Sequence, residues 1–345
     1  MKKILMVLVL LIAIGGGGAL YANNWYNSGI EKRLSTSSDQ VKFTVEQGEN
    51  TESIGKRLKE AGLIENELIL KLYLRRENKG GSIQAGDFLI PKKATIPEIV
   101  EILGRGVDLD VVKVTIIEGY KLSQISSTLE LAFSGREGVV FDQSEFNTIT
   151  KSPDNYTFDA EVQTFLDQYK PAGKSLEGFL YPDTYEFGNT VSTKFTIESM
   201  IKHFITKTAD LNKGDDFYKK LVLASIIERE SMTNEERDEI SSVFTNRLEI
   251  GMALQSDATV NYATGKSDPR PTFADTKIDS PYNTYKYPGL PPTPICNPRI
   301  ESIEAALNPA DTDYYYFIHE QTGSGKVHFA KTESEHNANI AKYLD

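Results

Sequence analysis

At 345 residues, with 39% hydrophobic and 10% aromatic side chains, the chain has enough apolar mass for about two globular domains, which argues against a disordered polymer. A formal net charge of −11 leaves no basic face for phosphate and argues against a nucleic-acid partner. A single cysteine, Cys296, rules out an internal disulfide, and His203, His319, His328 and His336 lack the spacing of a short zinc motif, so neither a metal nor another cofactor is expected.

After Lys2 and Lys3, residues 4–22 carry no charge, and as a helix rising about 1.5 Å per residue they would span roughly 28 Å, the depth of a bilayer core. This predicts a single transmembrane anchor over residues 1–25. Lys2 and Lys3 hold the N-terminus inside the cytoplasmic membrane and place the rest on its extracytoplasmic (periplasmic) side. A cleaved signal peptide is the alternative; Leu20-Tyr21-Ala22 is a poor cleavage site for it, but the Gly15–Gly18 run weakens the helix and keeps it open. Residues 26–40, rich in Asn, Ser and charge, read as a polar linker, with order beginning near Val41.

Residues 41–106 read as a small α+β module. Val41–Val45 alternates as a half-buried strand, and Thr51 is placed to cap a helix carrying Ile54, Leu58 and Ala61. A second helix is predicted over Glu67–Arg76, a returning strand at 84–91, and a third helix over 95–103 with Pro97 in its first turn. The F-T-V-x-x-G-E opening and A-G-D-F-L-I-P close resemble a LysM-like module, which implies binding to N-acetylglucosamine-containing glycans. A small packing or spacer domain is the alternative.

Residues 107–345 read as a larger α+β domain. Val111–Ile117 is a β-branched strand and Leu122–Phe133 a helix, while 134–162 is dominated by polar and turn residues and carries no site expectation. Phe179, Tyr181, Tyr185 and Phe187 share one alternation phase, as a strand offering rings to sugar faces would, with Glu177, Asp183 and Glu186 among them; core packing is the plainer reading of any single ring. Asp257, Thr259 and Asn261 are read on one face of an extended run. The proline-rich stretch 280–295, with Asn283 and Tyr285, reads as a cleft wall. An aromatic strand at 313–318, a turn, a returning strand at 327–330 and a helix over 333–344 close the chain.

The sharpest chemical feature is the run Leu223-Ala-Ser-Ile-Ile-Glu-Arg-Glu-Ser231, in which an apolar helix beginning near Phe217 ends in two carboxylates. An acid at the edge of apolar surface is partly desolvated, and this keeps it protonated near neutrality, as a general acid requires. Glu228 and Glu230 lie roughly 200° apart on a helix, so they cannot serve one bond together. Glu230, at the helix end beside the Ser231 hydroxyl, is the better candidate. On spacing alone, two ordinary solvated helix acids remain the alternative.

S-I-I-E-R-E, V-F-T-N-R-L-x-I-G-M-x-L-Q-S-D-A-T-V-N-Y, S-P-Y-N-T-Y, G-L-P-P-T-P-I-C-N-P and the earlier L-E-G-F-L-Y-P-D-T-Y all stand in the chain. Together they resemble the endolytic murein transglycosylase family, of the MltG or YceG-like type, over nearly the whole length. The resemblance implies a membrane-anchored lytic enzyme that cuts the MurNAc-β-1,4-GlcNAc bond inside peptidoglycan strands and leaves 1,6-anhydro ends. Peptidoglycan synthases are its implied partners. The family's catalytic acid, the second Glu of E-x-E, falls on Glu230. Glu177, Ser231, Asp257, Thr259, Asn261, Asn283 and Tyr285 are the candidate substrate contacts, and Asn297 and Asn308 read as turn residues. A non-catalytic glycan-binding or scaffold protein of the cell wall is the competing class.

Overall fold

The computed structural model describes residues 18, 21–36, 39–46, 48–104, 111–136, 141–188, 191–266, 271–320 and 325–344. The chain divides into two compact units, Met1–Val111 and Val112–Asp345. Among the described residues no helix is long and apolar enough to cross a membrane, and the apolar run 4–22 lies almost wholly outside them.

In the first unit, β1 (Gln40–Val45) pairs antiparallel with β2 (Gly86–Pro91), Phe43 opposite Phe88. The connection carries α1 (Thr51–Glu60) and α2 (Glu67–Arg76), and α3 (Ile96–Gly104) follows. Period-2 and period-3.6 apolar positions converge on one core that includes Phe43, Ile54, Leu58, Leu70, Phe88, Ile90, Ile99 and Leu103. Asn50, rather than Thr51, caps α1, its side chain accepting from the amides of Glu52 at 3.1 Å and Ser53 at 2.9 Å. Order also begins earlier than Val41. Residues 21–30 are helical, Tyr26 is buried in the core, and Arg33 grips Glu98 through two hydrogen bonds of 2.9 and 3.1 Å. Part of the stretch read as a tether is therefore packed, because its few apolar side chains find the flank of α2 and its charges find partners.

The second unit opens with β3 (Val111–Thr115), which pairs with β4 (Thr184–Gly188). Between them run α4 (Leu122–Phe133), α5 (Gln143–Lys151) and α6 (Ala160–Tyr169). The first of the two last helices, α5, lies inside the stretch 134–162 read as turns, and α6 begins at its end. Each has a single buried apolar stripe, Phe146 and Ile149 in one and Val162, Phe165 and Leu166 in the other, diluted by polar neighbours. Their aspartate caps, Asp142 and Asp159, were the sequence signal for them. After β4 come α7 (Thr193–Lys207), α8 (Phe217–Glu230), α9 (Arg237–Glu249), α10 (Asp257–Thr264) and α11 (Ile300–Leu307). The hairpin of β5 (Tyr316–His319) and β6 (Val327–Ala330) and the closing α12 (Glu333–Tyr343) complete a mixed α+β unit.

Two expectations change here. Phe179, Tyr181, Tyr185 and Phe187 form no open ring face; all four are buried, with Tyr185 and Phe187 stacked at 5.6 Å and the Tyr185 hydroxyl donating to the Tyr181 carbonyl at 2.5 Å. Four large rings bury more apolar area inside the core than any exposed strand would, and packing wins. Asp257–Thr264 is a helix, not an extended run, so Asp257 and Asn261 share a face while Thr259 points to the opposite one.

One glycine ties the unit together. Gly178 adopts φ +93°, and a β-carbon there would stand 2.7 Å from Pro294 Cγ, 2.8 Å from Pro294 Cβ and 3.3 Å from Leu221 on α8. Gly178→Ala combines a disfavoured backbone with a collision against a rigid ring. The expected loss is about 2 kcal/mol or more, read as a fall in melting temperature of roughly 4 °C or more by calorimetry.

Candidate active site

Helix α8 is buried from Leu221 to Glu228 and emerges again at its C-terminal end, where Arg229 is exposed and Glu230 is half-buried. The two glutamates have opposite fates. Glu228 is consumed inside the protein, where its carboxylate accepts from the Arg299 amide at 3.1 Å, from Arg299 Nε at 3.0 Å and from Ser302 Oγ at 2.8 Å. These bonds fasten α8 to the start of α11. With its oxygens already held by three donors inside the protein, Glu228 is not free to meet a ligand.

Glu230 lies against the N-terminus of α10. Ser256 Oγ donates to Glu230 Oε1 at 2.5 Å, and the Ala258 amide is a second donor to the same carboxyl. Burial pushes the Glu230 carboxyl above its ordinary range and the neighbouring Asp257 charge pushes the same way; the Ser256 and Ala258 bonds and the Arg229 cation oppose them, and burial wins. The result is a carboxyl that holds its proton to higher pH than an ordinary glutamate yet has donors in place once the proton leaves. Tyr285, 36% exposed, donates from its hydroxyl to Asp257 Oδ1 at 2.6 Å, so an aromatic edge, a carboxylate and Glu230 stand together. Arg247 on α9 is buried beside them, donating to the carbonyls of Tyr315 at 2.6 Å and Leu254 at 2.7 Å. Its guanidinium lies within electrostatic reach of both Glu230 and Tyr285.

The other predicted residues separate into those at this site and those beneath it. Asp257 and Tyr285 are partly open to solvent and lie beside Glu230, and Asn261, partly exposed as a residue, stands one helical turn along α10 on the Asp257 face. Thr259 is instead fully buried, its hydroxyl bonded to the Ser256 carbonyl at 2.7 Å and to Thr284 at 2.8 Å, because the helix turns it inward. Asn283 is also fully buried and folds its own loop: its amide donates to the carbonyls of Thr276 and Ile278 at 2.9 and 2.8 Å, and its oxygen accepts from the Tyr285 amide at 3.1 Å. Ser231 does not orient Glu230; its hydroxyl is buried and makes no hydrogen bond, and Ser256 from a different helix does that work.

Glu177 is an internal brace rather than a cleft residue. It is 3% exposed, and its Oε1 accepts from the Leu122 amide at 3.0 Å and from Asn297 Nδ2 at 3.1 Å, with the Tyr262 hydroxyl 3.3 Å from Oε2. Burial outweighs these bonds and pushes its carboxyl up to about 8. Asn297 is far more than a turn residue: its Oδ1 accepts from the amides of Gly178 and Leu180 at 3.0 and 2.9 Å, and its Nδ2 also reaches the Tyr120 carbonyl at 2.9 Å. Ser256, Arg247, Arg299 and Asn297 were not singled out as functional. Only Ser256 carried a local signal, as the serine that opens a helix in S-D-A-T. Among the described residues no group of three His, Cys, Asp or Glu side chains converges on a metal-sized space.

The comparisons agree on one family. The model of the YceG-like family matches residues 43–342. A Bacillus subtilis (strain 168) protein named endolytic murein transglycosylase is 35% identical over 340 residues, covering 95% of this chain and 91% of that relative. A Streptococcus pneumoniae (strain R6) protein of the same name is 28% identical, covering all of this chain and 66% of the relative. The crystal structure of a yceG-like protein from Listeria monocytogenes aligns with a TM-score of 0.56 at 34% identity, over 88% of this chain and 99% of that one.

The Glu177 brace has a measurable pH signature. A carboxyl raised above its unfolded value keeps a proton that the unfolded chain releases, so stability falls as pH climbs from about 4.5 towards 8. Glu177→Gln preserves the shape and the hydrogen bonds without the titration. Thermal melts of the two proteins are expected to lie closest at pH 5, with the variant gaining on the wild type through pH 8; a constant offset would remove Glu177 as the source.

Proposed function

Because the chain belongs to the YceG-like family, we propose that it is a lytic transglycosylase of peptidoglycan, cutting within glycan strands between N-acetylmuramic acid and N-acetylglucosamine. The carrying observation is the contrast inside E-x-E: Glu228 is saturated by Arg299 and Ser302, while Glu230 is half-open, raised by burial and held by one side-chain bond.

One carboxyl suffices for this chemistry. Hydrolases that retain or invert configuration use two carboxyls across the scissile bond. In lytic cleavage Glu230 gives its proton to the glycosidic oxygen as the bond from muramoyl C1 breaks. The muramoyl C6 hydroxyl then bonds to C1, and the Glu230 carboxylate takes the proton that hydroxyl releases. The catalyst ends protonated, no water is consumed, and the product carries a 1,6-anhydro ring. A group that serves first as acid and then as base needs its pKa pulled from both sides, and burial with Asp257 against Ser256, Ala258 and Arg229 supplies that opposition. Asp257, Asn261 and Tyr285 are the side chains on hand to contact the sugars.

The uncharged run 4–22 behind Lys2 and Lys3 supports a cytoplasmic-membrane anchor with the enzyme on the extracytoplasmic side, where nascent strands and their synthases are found. The first unit, with its β1-α1-α2-β2 order, is the candidate glycan-holding module.

Digestion of purified murein, followed by mass spectrometry, tests the assignment. Wild-type protein is expected to release anhydromuropeptides, and Glu230→Gln to lose activity by about a hundredfold or more. Equal yields from the two, or reducing ends in place of anhydro ends, would overturn it.

A further inference from the structure

Ser256 stands at the N-cap of α10, where a serine ordinarily turns its oxygen onto the amides of the first helical turn. Here it caps none of them. Its hydroxyl points away to Glu230 Oε1 at 2.5 Å, and the Ala258 amide, one of those a capping serine would take, meets the Glu230 carboxyl instead. The backbone leading to Ser256 is unusual as well: Gln255 has φ +52°, one of two non-glycine residues with positive φ among the described residues. A side chain in that region costs about 1 kcal/mol or more and persists only where its surroundings hold it.

The surroundings do hold it. The Gln255 amide donates to the Thr284 carbonyl at 3.1 Å, the Ser256 amide to Thr284 Oγ1 at 3.1 Å, and Thr259 Oγ1 to the Ser256 carbonyl at 2.7 Å. Arg247 clamps the Leu254 carbonyl at 2.7 Å just before the turn. Ser256 itself is 3% exposed, so its hydroxyl has no free rotation into solvent.

We propose that Ser256 is the positioning residue of the Glu230 acid: by occupying Oε1 as a donor it leaves the transferable proton on Oε2 and holds the carboxyl in one orientation. This rests on the reading of Glu230 as the acid. Glu230 is faced by Asp257 and the Ala258 amide from α10, by Arg229 from its own helix, by Arg247 from α9 and by Tyr285 from the loop. Among the described residues, Ser256 alone gives the carboxyl a side-chain hydrogen bond. Removing it deletes a contact that favours the carboxylate, so the acid must keep its proton to higher pH.

The test uses the full chain acting on purified glycan strands, with Ser256→Ala, Ser256→Thr, Ser256→Cys and Glu230→Gln run together. Ser256→Ala is expected to lower kcat about ten- to a hundredfold, the worth of one hydrogen bond to a charged group, with KM within about twofold of wild type. The alkaline limb of its pH–rate profile is expected to move to higher pH. Ser256→Thr, which keeps the donor, is expected to restore both. Ser256→Cys, similar in shape with a weak donor, gives the same reading if the alanine variant does not fold. A wild-type kcat and an unmoved limb in the alanine or cysteine variant would overturn the proposal. Activity surviving in Glu230→Gln would instead overturn the reading beneath it.

Discussion

Helix α8 is buried on nearly every side from Leu221 to Glu228, so its polar groups have to be answered inside the protein, and the segment Ile295–Arg299 answers them. The Ile295 amide donates to Ser225 Oγ at 2.9 Å, Cys296 Sγ to the Ser225 carbonyl at 3.2 Å, and Arg299 pairs with Glu228. Asn297, between them, reaches to Gly178, Leu180, Tyr120 and Glu177. A buried polar group left unanswered costs about 1–3 kcal/mol, and a buried charge more. The lacing therefore sets where α8 lies and at what height its last turn leaves the core. Glu230 stands where it does because Glu228, two residues earlier, cannot move.

From that position the chemistry of Glu230 follows by competition. Burial and the Asp257 charge favour the acid; Ser256, the Ala258 amide and Arg229 favour the carboxylate. Neither set acts alone, and the balance would fail for a fully exposed acid, which water would hold near its ordinary value. Tyr285 adds a second layer by donating to Asp257 while remaining partly exposed. The groups proposed to handle the proton and to contact the sugars thus lie within one short stretch of surface built from α8, α10 and the loop that Asn283 folds.

Strong periodic segments were legible in the sequence because their signal is local. The helix over Leu122–Phe133, the two predicted in 41–106 that became α1 and α2, and the strand returning at 327–330 appear where the pattern puts them. One helix was missed: α5 carries its buried Phe146 and Ile149 among polar neighbours in a stretch whose composition reads as turns. Alternation also misled at Asp257–Asn261, where the cap that starts a helix, Ser256, has no side-chain bond to its own helix. Glu177, read as a substrate contact, has its partners Leu122, Asn297 and Tyr262 in other segments, so nothing local separated a brace from a ligand contact; Asn283 braces its own loop through backbone groups, which residue type alone does not reveal.

The order of motifs, the apolar N-terminal run, the absence of a second cysteine and the helical divergence of Glu228 and Glu230 belong to the sequence, because each depends only on residue type and spacing. Which glutamate is saturated and which stays open did not. That was decided by Arg299 and Ser302, some seventy residues away, and by Ser256, twenty-six residues away, which only folding brings to hydrogen-bonding distance. Desolvation and hydrogen bonding act through space, so the acid's identity could be narrowed along the chain, but its proton affinity was settled by the core packed around it.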